Sequence, residues 1–168
     1  MHRYPEIMIA PMRAEITDLG AEELRAPEEV DAFVAGEGTA ALVVNSVCGC
    51  AAGSMRPGLR SALDRVRPDR VGTVFAGADV EATERAREIF APYPPSSPFI
   101  GFFRDGRMTG ALQRSDIQGK QPEEIAEAIV AALTDARVGE AEAGESGAGQ
   151  AERGSARSTG AAHDGSGE

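Results

Sequence analysis

Apolar positions along this chain switch between helical spacing and unbroken runs, and the switches mark its elements. Met8, Met12, Ile16 and Leu19 recur at near-helical intervals over residues 5–19, with Pro11 as a kink and Gly20 as a stop. Glu23-Leu24 suits a short edge strand. Pro27 suits the first position of a second helix, with Glu28 and Glu29 at its positive end. Val30, Phe33 and Val34 form one apolar face of that helix, and Gly36 closes it. From Thr39 to Val47 the chain is predominantly apolar and β-branched, the pattern of a strand buried on both faces.

Helical spacing returns over Ala51 to Arg67 at Leu59, Ala62, Leu63 and Val66, with Pro57-Gly58 bending its early part. Val71 to Ala76 predicts a second short buried strand. Asp79 suits the N-cap of a helix through Phe90, with Ala82, Ala86, Ile89 and Phe90 turned inward. Pro94, Pro95 and Pro98 make residues 93–98 an extended loop. Phe99–Phe103 and Met108–Leu112 flank Asp105-Gly106, a hairpin signature. Pro122 opens a last helix lined by Ile125, Ile129, Ala132 and Leu133. Beyond Val138 only small and polar residues follow. The pattern therefore predicts one domain over residues 1–137 and a disordered acidic tail rich in Gly, Ala and Ser over 138–168. Alternating β and α elements followed by a hairpin and a helix predict an α/β fold, a mixed central sheet with helices on both faces.

Composition narrows the chemistry. With 168 residues the chain can build a core without disulfide staples, and its two cysteines are too few for a secreted disulfide framework. The histidines, His2 and His163, lie near the two ends, so no metal site is expected. A formal net charge of −10 with singly scattered arginines argues against nucleic acid. The first residues lack a signal-peptide layout, and no apolar run approaches the roughly 20 residues that cross a bilayer. A cytoplasmic protein is expected, without a membrane partner.

Both cysteines fall in one stretch, Asn45-Ser46-Val47-Cys48-Gly49-Cys50-Ala51-Ala52-Gly53, between the buried strand and the next helix. The thiolate is the nucleophile of disulfide exchange, and a helix N-terminus stabilises it with unpaired N–H groups and a positive dipole end. Gly49, Ala51, Ala52 and Gly53 leave little bulk over the sulfurs. Cys48, the more N-terminal thiol, is the expected nucleophile, and Cys50 the expected resolving thiol. A single residue between them makes a tighter ring than the common two-residue spacing, which favours either an oxidising pair or a Cys48 that works largely alone. An inert apolar pair at a strand end is the alternative. Asn45 and Ser46 are expected to shape the turn.

The same stretch resembles the signature of the bacilliredoxins, a bacterial branch of thioredoxin-like proteins. The resemblance extends to Pro11-Met12-Arg13, Val74-Phe75-Ala76-Gly77 and Ser96-Ser97-Pro98, and covers about residues 4–137. It implies a thioredoxin-like fold, with Pro98 in the position of the cis-proline that faces the thiols and Pro57 as the helix-kinking proline. Gly49, Ser97 and Pro98 would then contact substrate. It also implies the activity: Cys48 attacks a bacillithiolated client protein, frees the client thiol and takes up bacillithiol, and Cys50 or a second thiol and a reductase release it. No cofactor would be bound, and bacillithiol would be the thiol co-substrate. Its malate part carries carboxylates; Arg56 either holds them or is a solvated helix arginine. General disulfide isomerisation and non-catalytic redox sensing are the rival readings, and turnover separates the sensor from the enzyme.

Overall fold

A computed structural model describes residues 4–145. Five strands form one sheet in the order β1-β3-β2-β4-β5, with β1 (Glu22–Glu23), β2 (Thr39–Asn45), β3 (Arg70–Phe75), β4 (Phe99–Arg104) and β5 (Arg107–Leu112). The first three run parallel, and β4 and β5 are antiparallel, so the sheet is mixed as the element order predicts. Central β2 is buried along its whole length, which explains its unbroken apolar run. Its alternate residues enter two cores: Ala41 and Val43 one, Ala40, Leu42 and Val44 the other.

The helices divide between these cores. Residues of α1 (Glu6–Thr17), α3 (Arg56–Arg65) and α6 (Pro122–Glu145) pack with the first. Residues of α2 (Pro27–Ala35) and α4 (Val80–Ile89) pack with the second. Helix α3 lies so close to α6 that a Cβ on Gly58 would meet Ile125 and the Pro122 carbonyl oxygen at 2.8 Å. The hairpin turns through Asp105 and Gly106, both at positive φ, as an Asp-Gly pair permits.

Four expectations are corrected. The buried face of α1 is Ile9, Arg13 and Ile16, and Met8 is 44% exposed. The periodic apolar pattern misses this because the central buried residue is an arginine, made tolerable by a carboxylate partner. Pro11 does not break α1, since its lost hydrogen bond falls near Ile7, which is 90% exposed. Strand β2 stops at Asn45, short of Val47, where the Asn45 side chain bonds Met12, Ser46 and Arg56 and so fixes the chain in the loop that follows. Asp79 stands at the N-cap of α4, but its carboxylate takes Arg13 and the Phe75 N–H in place of a capping bond.

Helix α6 runs to Glu145, eight residues past the expected domain end at 137, while the rest of the expected tail lies outside the described residues. Both histidines also lie outside them.

Candidate active site: a thiol pair at a helix start

Strand β2 ends with Asn45, a buried side chain that organises the next three residues. Its Oδ1 accepts the Ser46 N–H at 2.9 Å and a guanidinium N–H of Arg56 at 3.2 Å, and its Nδ2 donates to the Met12 carbonyl at 3.0 Å. Arg56 is 3% exposed: it also donates to the Ser46 carbonyl at 3.0 Å and to Glu15 at 2.8 Å. It holds the loop from beneath and does not line the cleft onto which Cys48 opens. Of the two alternatives for Arg56, neither applies.

Helical structure begins at Gly49, with the Cys48 carbonyl accepting the first N–H bonds, from Ala51 and Ala52. Cys48 therefore occupies the capping position and Cys50 the opening turn. A π-helical turn, Ala51–Met55, carries the chain into α3, where Pro57 occupies an early position and contributes no donor. A Cβ added to Gly49 or Gly53 would meet nothing within 4 Å, so the surface over these two glycines beside the thiols is open.

Both thiols are reduced and half-buried, with their sulfurs 2.9 Å apart. Three donors converge on Cys48: the Cys50 thiol, the Ser46 hydroxyl at 3.1 Å and the Ala51 N–H at 3.4 Å. Burial pushes the Cys48 thiol up, but these bonds and the charge of Arg114 outweigh it and hold it below its ordinary value. Cys50 moves the other way. Burial, its bond to Cys48 and the charge of Cys48 raise it, against a smaller pull from Arg114. Two residues apart, one thiol is biased towards the anion and its neighbour towards the proton-bearing donor. Ser46 thus does more than shape the turn.

Cys48 opens onto a cleft of about 340 Å³ lined by Tyr4, Ser46, Val47, Ala76, Gly77, Arg87, Ser97 and Arg114. Ser97-Pro98 is a cis peptide; Ser97 lines the cleft and Pro98 is buried at the start of β4. Arg114 opens a short helix, α5 (Arg114–Ile117), anchored by buried Ile117 and by the Arg114 N–H on the Ser96 hydroxyl at 3.4 Å. Tyr4, Arg87 and Arg114 were invisible as site residues in the sequence. They lie 44, 39 and 66 positions from Cys48, and no motif joins them to it. Among the described residues no group of three or more metal-ligating side chains forms, and no helix is long and apolar enough to cross a membrane.

Residues 4–136 match the family model described as disulphide isomerase. A bacilliredoxin of Koribacter versatilis is 54% identical over 138 residues, covering 81% of this chain and 94% of the relative. One of Cytophaga hutchinsonii is 50% identical over 124 residues, covering 73% and 92%. Among solved structures, the oxidised thioredoxin of Plasmodium falciparum superposes with a TM-score of 0.50 at 14% identity, covering 67% of this chain and 98% of its own. A second protein, described as having a thioredoxin fold, gives 0.51 at 15% identity, covering 70% and 93%. These two likenesses identify the fold as thioredoxin-like.

Proposed function

The chain belongs to the bacilliredoxin family and is a thiol–disulfide oxidoreductase, and from that premise we propose that it removes bacillithiol from S-bacillithiolated proteins. The observation that supports this most is the asymmetry of the thiol pair. Cys48 faces the cleft with three donors on its sulfur, and Cys50 waits 2.9 Å away on the same helical turn.

In the first step the Cys48 thiolate attacks the bacillithiol sulfur of the client's mixed disulfide. A Cys48–bacillithiol bond forms as the client–bacillithiol bond breaks, and the client sulfur leaves as a thiolate and takes a proton from water. In the second step Cys50 gives up its proton to solvent and attacks the Cys48 sulfur. Bacillithiol leaves as its thiolate, and a Cys48–Cys50 disulfide remains. Neither step changes the number of electrons in the thiol–disulfide pool. A dithiol or reductase must supply two electrons to reopen the pair, or a second bacillithiol can take the place of Cys50 and leave as bacillithiol disulfide. The rise in the Cys50 thiol delays the second step until Cys48 has lost its charge to the mixed disulfide, which removes one cause of that rise. Gly49, Ser97 and Pro98 are the backbone platform on which we place the substrate. The setting we assign is the cytoplasm, where reducing partners are available.

The experiment incubates the wild type, Cys48→Ser and Cys50→Ser with a bacillithiolated client and reads adducts by intact mass. Cys50→Ser is expected to remove bacillithiol once and keep it on Cys48, whereas Cys48→Ser is inactive. Transfer that survives the loss of Cys48 would overturn the assignment. The description of the matching family favours a second reading, disulfide isomerisation. Reactivation of a scrambled disulfide protein faster than debacillithiolation would put that activity first.

A further inference from the structure

The cleft beside Cys48 carries charge opposite in sign to the net charge of the chain. In a protein of formal net charge −10, its lining contains two arginines and no acidic residue. The two come from separate elements, Arg87 from α4 and Arg114 from α5. Neither is saturated. Arg114 is exposed, forms no ion pair among the described residues, and directs only its Nε to Gln118 at 3.4 Å. Arg87 pairs through Nη1 with Glu84 at 2.7 Å, while its Nε–H is buried without an acceptor. A buried donor with no partner is costly unless a ligand completes it. At about 340 Å³ the cleft has the volume of a small-molecule site, too small for a folded chain.

We propose that Arg87 and Arg114 form a carboxylate subsite that selects small thiols bearing acid groups, and orient their sulfur towards Cys48. A guanidinium accepts a carboxylate in a two-pronged, charge-assisted geometry, so two arginines on opposite elements suit a dicarboxylate such as a malate group. The subsite is filled from the small-thiol side of the mixed disulfide, which leaves the open approach over Gly49 for the client. The bonds made and broken are those of the exchange proposed above. The choice of substrate rests on that reading; the charge preference of the cleft does not, and can be measured without any turnover.

The test uses Cys50→Ser, so that Cys48 is the only thiol. Its alkylation is timed with iodoacetate and with iodoacetamide at one pH and low salt. Both reagents consume the same thiolate, so any change in thiol ionisation cancels in the ratio of their rates. Arg114→Gln is expected to lower the iodoacetate-to-iodoacetamide ratio about three- to tenfold, with Arg87→Gln acting in the same direction and Arg114→Lys recovering part of the loss. Because Arg114 is exposed, its variants keep the fold, which circular dichroism checks. An unchanged ratio in Arg114→Gln and Arg87→Gln would overturn the subsite.

A second arm compares release of bacillithiol, glutathione and 2-mercaptoethanol from one client. Loss of Arg114 is expected to slow the two acid-bearing adducts more than the neutral one; equal slowing of all three overturns the selectivity. Slowing confined to bacillithiol marks malate as the source of the recognised carboxylates, and shared slowing marks carboxylates in general. If no adduct is released by any form while the alkylation ratio still falls, the debacillithiolation reading fails and the anion subsite stands.

Discussion

Four arginines surround the thiol end of the sheet, and they divide into a region beneath the thiols and a region beside them. Beneath, Arg13 and Arg56 are almost fully buried and bound to carboxylate and carbonyl groups of the fold itself. Arg13 grips Asp79 with two bonds of 2.7 and 2.8 Å and lies over the Phe75 ring, tying α1 to the β3–α4 junction. Arg56 ties Glu15, Asn45 and Ser46 into the loop that delivers Cys48. Beside the thiols, Arg87 and Arg114 keep donors unused. The same side chain is scaffold where it is buried against partners of the fold and a recognition group where it lines the cleft. Proximity in sequence to the cysteines predicts nothing about which: Arg56, the nearest of the four, is scaffold, and Arg114 is among the most distant.

The comparison breaks most visibly at Asp79. Asp79→Asn removes a buried charge and leaves Arg13 without its main counter-ion, which should cost about 3–5 kcal/mol of unfolding free energy. Denaturant unfolding measures this, and a loss below about 1 kcal/mol would mean that Glu6 and Glu23, within 3.0 and 3.5 Å of Arg13, already suffice. In the molecules that remain folded, the iodoacetate-to-iodoacetamide ratio at Cys48 should stay at its original value.

Arg56→Met is the next largest test and separates the two regions within one molecule. It preserves the buried stem but leaves the Ser46 carbonyl and Asn45 Oδ1 short of a donor, at about 2–3 kcal/mol. Alkylation by both reagents should slow together as the Cys48 loop loosens, so the ratio holds. A selective loss of the iodoacetate rate would move Arg56 from scaffold to recognition.

The contrast also explains what could be read from the sequence. The sheet was legible because its physics is local and repetitive: β2 is an unbroken apolar run, and Asp105-Gly106 marks its own turn. The thiol pair was legible because two cysteines and small residues sit together at a strand–helix junction. The cleft was not, because Tyr4, Arg87 and Arg114 meet Cys48 only after α1, α4 and β5 are folded around it. Arg13 misled the reading of α1 for a related reason. A buried arginine at the centre of an apolar face looks solvent-facing until Asp79, 66 positions away, is brought against it.

The smallest expected effect lies on the boundary between the regions, at Ser46, which is held by the scaffold and donates to the reactive sulfur. Cys48 stands below the ordinary cysteine range, and the Ser46 hydroxyl is one of the causes. Ser46→Ala removes that donor, so the midpoint of the alkylation pH profile should move up. Below the wild-type midpoint the variant should react more slowly, roughly three- to tenfold, the worth of one hydrogen bond that favours the thiolate over the thiol. Well above both midpoints each thiol is fully ionised and the deficit should vanish or reverse, since a more basic thiolate is intrinsically the better nucleophile. Cys50 does not obscure the measurement if it is replaced by serine, although that replacement also takes away the thiol that bonds Cys48. The comparison is therefore made in both backgrounds. A midpoint that stays fixed in each would show that the Ala51 amide and Arg114 hold the thiolate without Ser46, and the loop's work would then be positional alone.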